Sequence, residues 1–329
     1  MRSRYGIFLF MGLAFFASRA FPQSNSPEAL QSTARALTVG ELPAVAERAD
    51  AGDAASQVLL GLSFRLLAEH LRDEEGQAEM YRSAVYWLRK AAEKGSAPAQ
   101  YFLAETDLTH STAVQPGILN CEEVLPSLNK AISQNYPFAM TALGHRYIEG
   151  GCYFKVDYAL GLEWLKKAST AGDPEANYWI GEAYADGNGV KRDQTEANRW
   201  FLKGAEMDDA DSQDALAVNL AEGNGTPKNL KEAVDWFRKS AEQGHQFGTC
   251  NLALHYMRGQ GVAKDLVLSL MWGLISDRVT TGNYCLEEID TRPFLKMTKA
   301  EEAEATQRAN AWLKAHHYPP TEPPTHDNE

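Results

Sequence analysis

Four kinds of residue in this 329-residue chain have types and spacings that could do chemistry: Ser127 with Lys130, four cysteines, eight histidines and a recurring Gly-x-Gly. Ser127-Leu128-Asn129-Lys130 has the Ser-x-x-Lys spacing of serine β-lactamases and penicillin-binding proteins, which sets a lysine one helical turn from a nucleophilic hydroxyl. Neither Lys-Thr-Gly nor Ser-Asp-Asn accompanies it. The cysteines show no Cys-x-x-Cys spacing, so thiolate or zinc chemistry is not expected. His145, His245 and His255 lack ligand spacing and acidic neighbours, and His316, His317 and His326 sit in a polar end segment. The Gly-x-Gly triplets lack the third glycine of a phosphate loop. No Ser-His-Asp, paired-carboxylate or His-Glu-x-x-His arrangement stands out. Neither cofactor nor metal is expected, and the chain does not read as an enzyme.

What these residues share is a period. From Trp200, steps of 36 residues reach Trp164, Trp236 and Trp272. Eight residues after the Trp come Gly172 and Gly244, with Asp208 as the exception; later come the pairs Gly187/Gly189, Gly223/Gly225 and Gly259/Gly261. Lys90, Lys167, Lys203 and Lys239 each follow a Trp by three, and Lys130 follows Ser127 by the same step. The lysine of the Ser-x-x-Lys spacing is thus a repeat position, and Ser127 stands where a Trp is expected. A lysine there favours the end of a helix dipole while its stem covers apolar neighbours.

Each unit reads as a helical hairpin. Ala197, Trp200, Phe201 and Gly204 recur at i, i+3, i+4 and i+7, one apolar stripe of a first helix. Asp193 with Glu196, and Asn229 with Glu232, have capping-box spacing. Ala176, Ile180, Gly181 and Tyr184 form the stripe of a second helix, and the glycine pair closes the unit. The Trp is expected as buried filler, worth about 3–5 kcal/mol on truncation to Ala. A hairpin this small cannot cover its own apolar face, so neighbours must stack.

Trp164-Leu165-Lys166-Lys167-Ala168, Gly181-Glu182-Ala183-Tyr184 and Gly187-Asn188-Gly189-Val190 resemble the Sel-one-like repeat, a branch of the tetratricopeptide superfamily. The resemblance covers most of the chain. It implies an all-α fold, a right-handed superhelix of hairpins with a C-terminal capping helix, and a scaffold that holds other proteins.

In chain order, Arg2 and Arg4 precede an apolar run from Ile7 to Ala17, with Ser18-Arg19-Ala20 behind it, the pattern of a secretory signal over residues 1–20. Residues 21–37 read as a flexible lead-in. Tandem repeats are expected over 38–297, about seven hairpins with degenerate first and last units. Ala44 takes the Trp position of the first; Trp87 opens a clearer one after a charged insertion from Arg72 to Glu79, and a second insertion holds Pro116 and Gly117. Thr298 with Glu301 starts a capping helix over 298–316, and 317–329 reads as a disordered Pro-rich tail.

Removing residues 1–20 takes away three arginines and no acid, so Lys plus Arg falls from 32 to 29 against 44 acids, a net charge near −15. That argues against nucleic acid and anionic membrane surfaces as partners. In an exported chain the cysteines are expected to pair. Cys121 and Cys152 fall at adjacent ends of one hairpin; Cys250 and Cys285 fall fourteen and thirteen residues after Trp236 and Trp272, on neighbouring second helices.

The function expected is protein or peptide binding along a concave groove lined by the first helices, in the periplasm or outside the cell. Arg89, Lys166, Arg199, Lys203 and Arg238 are the outward positions beside the Trp. The alternative is a weak β-lactam-binding or β-lactam-hydrolysing protein, as described for cysteine-rich members of the resembling family.

Overall fold

The computed structural model describes residues 25–37, 40–71, 73–106, 121–150, 154–279, 285, 294–318 and 320–321, without the side chains of His70, Cys121, Glu122 and Leu295. The expected signal segment, the insertion around Pro116 and the expected Cys121–Cys152 pair lie outside the described residues. Among those residues the regular elements are helices, with no strand.

The chain divides into two compact units, 1–143 and 144–329. The first holds α1 (Pro27–Ala36), α2 (Leu42–Asp50), α3 (Ala54–His70), α4 (Glu74–Glu93), α5 (Ala97–Thr106) and α6 (Cys121–Ser133), and ends within α7 (Pro137–Glu149). The second continues with α8 (Tyr158–Thr170), α9 (Glu175–Asp186), α10 (Gln194–Glu206), α11 (Ala210–Glu222), α12 (Leu230–Glu242), α13 (Gln246–Arg258), α14 (Leu266–Val279), a 3-10 turn (Phe294–Lys296) and α15 (Lys299–Ala315). From α2 to α6 and from α8 to α15 each helix packs on the next. This is the stacked-hairpin packing of an α/α solenoid, with first (A) helices α2, α4, α6, α8, α10, α12 and α14 and the second (B) helices between them.

The hairpin core sits one residue later than the Trp. Leu165, Phe201 and Phe237 are buried to within 2% of complete coverage, as are Val45, Leu88 and Leu128 at the same phase. Trp164, Trp200 and Trp236 are only half-buried. The expectation of a buried Trp filler therefore holds for Trp87 and Trp272, each 7% exposed, and is corrected for the three central repeats. The reason is angular: adjacent helical residues differ by about 100°, so one of two neighbouring rings must turn from the core centre. Phe201 reaches across the repeat boundary to Gly181, where a Cβ would come within 2.4 Å of its ring. Leu165 meets Gly144, and Leu88 meets Gly61, in the same way.

The glycine pair has a steric cause as well as a conformational one. Both members are left-handed, with φ of 86° and 65° at Gly223 and Gly225. A Cβ on Gly225 would lie 2.7 Å from the backbone of Gln194, the first residue of α10, and Gly189 and Gly261 approach Tyr158 and Leu230 likewise. The exception at Asp208 keeps the repeat's conformation: φ is 71° there and 58° at Asn135, in line with Gly172 and Gly244. Asp and Asn are the side chains that tolerate the left-handed region best.

Three expectations are revised at the ends and insertions. The lead-in contains helix α1, capped by Ser26, with Leu30 and Ala34 buried. These two apolar residues, four apart, give it a face to pack on α3. The charged insertion from Arg72 to Glu79 is mostly the N-terminal extension of α4, capped by Asp73 and burying Ala78 and Tyr81. The tail begins ordered: Tyr318 stacks near Trp312, and Thr321 bonds to Asn310. Helix α15 itself starts at a full capping box between Thr298 and Glu301.

Candidate partner-binding face

The A helices of 158–258 bring the Trp and the Lys of each repeat into contact. Lys167 Nζ sits 4.3 Å from the Trp164 ring centroid, Lys203 5.0 Å from Trp200 and Lys239 3.7 Å from Trp236. Lys90 does the same over Trp87, at 5.1 Å, and over Tyr86. The three-residue step places each ammonium over the preceding ring, where the negative π face attracts it. The lysine ladder therefore has a cause beyond the helix dipole: it covers the half of the Trp that the core leaves open.

The five cations expected to meet a partner, Arg89, Lys166, Arg199, Lys203 and Arg238, are mostly satisfied within the chain. Arg89 pairs with Glu123 at 3.0 Å, Arg199 with Glu196 at 2.8 Å and Arg238 with Asp235 at 2.9 Å. Arg238 also donates to the Tyr256 hydroxyl, at 3.4 Å. Lys203 donates to Ser169 Oγ of the preceding repeat at 2.7 Å. Lys166 is exposed. Exposed pairs of this kind hold charge in place weakly, about 0–1 kcal/mol each.

A second cluster lies on the B-helix side. His245 Nδ1 accepts the Gly248 amide, capping α13, while Nε2 faces Asp211 Oδ1 at 3.0 Å. Asp214 accepts from Asn251 at 2.9 Å. Burial, together with Asp186 and Asp211, raises the Glu182 carboxyl above its ordinary range. Burial also raises Asp209 and Asp214, against their bonds to Ser212 and Asn251. Burial resists charge on His245, yet Asp211, Asp214 and Asp209 hold its imidazole above the ordinary value. The expectation that His245 has no acidic neighbour is corrected, because the neighbour comes from one repeat earlier; position 211 plus the period falls within two residues of 245. His145 likewise pairs with Glu149, four residues on, at 3.3 Å. Among the described residues no group of three or more His, Cys, Asp or Glu is arranged to hold a metal.

Ser127 is half-buried and Lys130 exposed, and no hydrogen bond joins them. Cys250 and Cys285 form a disulfide, with Cα atoms 5.5 Å apart, tying α13 to the segment after α14. Among the described residues no helix is long and apolar enough to cross a membrane.

The Sel1 repeat family model matches residues 79–96, 137–173, 174–209, 210–245 and 247–274. The matches over 174–209 and 210–245 each take one B helix and the following A helix; in the first of them Gly181 of α9 meets Phe201 of α10. Two crystal structures are similar at 26% identity. One is a Sel1 repeat protein from Oxalobacter formigenes, with TM-score 0.53, covering 76% of this chain and 87% of that one. The other is c5321, a protective antigen of uropathogenic Escherichia coli strains displaying an SLR fold, with TM-score 0.50, covering 84% of this chain and 57% of that one. Helicobacter pylori cysteine rich protein B matches over 38% of this chain and 88% of its own length, at 23% identity and TM-score 0.31. No curated protein sequence matches significantly. The tandem family matches, in phase with hairpins whose Trp, Lys and glycine positions coincide from repeat to repeat, make this chain a Sel1 repeat protein.

Proposed function

We propose that this chain is an exported scaffold that holds another protein or peptide along the groove side of its A helices, residues 158–258. Sel1 repeat proteins commonly mediate protein–protein interaction, and one observation carries the reading here. Three consecutive repeats present an equivalent, half-buried Trp ring with a lysine over it, at 36-residue spacing. Trp is enriched among residues that dominate interface energy. The arginines serve as a fixed polar rim, since their partners are already in the chain.

Export is supported by the Cys250–Cys285 disulfide, which persists in oxidising compartments. It is checked by sequencing the mature N-terminus, expected at Phe21 in the periplasmic or secreted fraction.

The test of the scaffold reading is capture of partners by full-length protein compared with the Arg199→Glu/Arg238→Glu and Trp200→Ala variants. Loss of the captured partner with unchanged helical circular dichroism is expected. Retention of every partner by both variants overturns it. Purified protein should not turn over nitrocefin; turnover abolished by Ser127→Ala would restore the β-lactam alternative.

A further inference from the structure

We propose that Asn224 is a site of self-modification, at which the main-chain nitrogen of Gly225 displaces the side-chain nitrogen of Asn224 as ammonia and leaves aspartate or isoaspartate. The site lies in the turn between α11 and α12 and does not depend on the partner-binding reading.

Asparagine followed by glycine occurs twice in the chain, at 188–189 and 224–225, each time as Gly-Asn-Gly in the same turn of the repeat. The reaction needs an uncrowded main-chain nitrogen after the asparagine, and glycine, without a Cβ, supplies it. The two turns share one backbone. The flanking glycines are left-handed in both, at φ 84° and 73° around Asn188 and 86° and 65° around Asn224. Among the described residues neither the Gly189 nor the Gly225 N–H donates a hydrogen bond. Local sequence and backbone therefore make the two sites equal.

Tertiary contacts make them unequal. Asn198, on α10 and 8% exposed, donates from Nδ2 to the Asn224 carbonyl at 2.7 Å. Its Oδ1 accepts from Asn219 Nδ2 of α11 at 2.7 Å, so its N–H and not its oxygen faces the turn. Thr195 Oγ1 donates to the Gly225 carbonyl at 3.2 Å. The Asn224 carbonyl belongs to the same peptide bond as the Gly225 nitrogen. When that nitrogen loses its proton, resonance places negative charge on the carbonyl oxygen. A fixed donor stabilises the charge there, as an oxyanion hole does. The equivalent positions on α8 are Leu162 and Ala159, whose side chains have nothing to donate to the turn at Asn188. Asn224 Nδ2, the nitrogen that leaves, is bonded to exposed Glu222 Oε2 at 2.5 Å.

Water is the sole co-reactant. Hydroxide removes the Gly225 N–H proton, the bond from that nitrogen to Asn224 Cγ forms, the Cγ–Nδ2 bond breaks, and ammonia leaves with a proton from water. Water then opens the cyclic imide at either carbonyl. Aspartate sets a second carboxylate against Glu222. Isoaspartate lengthens the main chain where a Cβ on Gly225 would already lie 2.7 Å from the Gln194 backbone. Either product loosens the turn against α10.

The test holds full-length protein in mildly alkaline buffer and scores digests by mass spectrometry for the amide-to-acid mass gain, localised by fragmentation. Asn224 should convert about tenfold faster than Asn188, the effect of one hydrogen bond to a charged group. The two rates should become equal in guanidinium chloride, where only the shared Gly-Asn-Gly sequence remains. Asn198→Asp keeps the acceptor for Asn219 and loses the donor, and Asn198→Leu installs the residue found at 162. Each should slow Asn224 to the rate of Asn188 and leave Asn188 unchanged, with folding checked by circular dichroism. Equal rates at the two sites in folded wild type, a difference that persists in guanidinium chloride, or a wild-type rate at Asn224 in either folded variant each overturns the proposal.

Discussion

Residues 158–265 and residues 27–143 solve the same packing problem under different constraints. In the former, α8 to α13 are all 12 or 13 residues long and the period is kept without insertion. In the latter, α3 has 17 residues and α4 has 20. Yet Val45, Leu88 and Leu128 are as buried as Leu165, Phe201 and Phe237. Length is free to vary at helix ends, where added turns need only a cap and a local apolar contact such as Tyr81. Phase is not, because a one-residue shift rotates the contact by about 100°. The glycine pairs explain why the later repeats stay uniform. Gly189, Gly225 and Gly261 are pressed against the start of an A helix, whereas the first unit has Glu69 and Thr112 at the same phase after Ala44 and Trp87.

The largest test of this contrast compares Phe201→Ala with Trp200→Ala. Phe201→Ala should cost about 3–5 kcal/mol in urea unfolding, and the half-buried Trp200 distinctly less. The reverse order would return the Trp to the core and remove the shared phase. Next, replacing both Cys250 and Cys285 by Ser opens a link spanning 35 residues and should cost about 3–4 kcal/mol. Hydrogen exchange should rise in α13 and not in α3.

Gly225→Ala and Gly95→Ala then separate conformation from contact. Both positions are left-handed, a penalty of about 1–2 kcal/mol for a side chain. Gly95→Ala should stop there, and Gly225→Ala should exceed it because its Cβ meets the Gln194 backbone. Equal losses would mean that the loop, not the helix start beneath it, sets the period.

Two clusters, one in each unit, carry opposite pH signs. Glu182, Asp209, Asp214 and His245 are all raised in the second unit. Stability linked to a raised group is full below its unfolded pKa and is lost as pH rises through the folded one. Local stability around α11 and the start of α13 should therefore be greater at pH 6 than at pH 8, and His245→Gln should flatten that slope near neutrality; His255, near the other end of α13, is lowered by burial and acts in the opposite sense. In the first unit, burial works to raise Asp53, but Ser56 and Arg48 hold it below the ordinary range. Its stabilisation is present above the unfolded value near 3.8 and is lost as pH falls through the lower folded one. Hydrogen exchange against pH, resolved by helix, reads both signs. The smallest expected effect is Lys239→Met, about 0.5–1 kcal/mol from an exposed cation–π contact, measurable by urea unfolding.

Much of this was legible before any coordinates. The αα-hairpin, the glycine turns, the capping pairs and the Cys250–Cys285 pairing follow from spacing, since a period carries position from one repeat to the next. The candidate face was half legible: phase put Lys166, Arg199, Lys203 and Arg238 beside the Trp, but not the acids that pair with three of the five cations singled out. Those pairs depend on rotamers of long side chains, which leave no periodic trace. The His245 cluster went unread because its partners come from the preceding repeat, and helix α1 because two apolar residues in a polar stretch are a weak signal.

Sequence alone determined the repeat, since a 3.6-residue stripe and left-handed glycines are local consequences of backbone sterics and burial. Only the tertiary structure decided which of two adjacent aromatic positions becomes core, where each lysine rests, and what the tail touches. Those outcomes turn on the distance between neighbouring helices and on contacts across repeats, and neither is a property of any single segment.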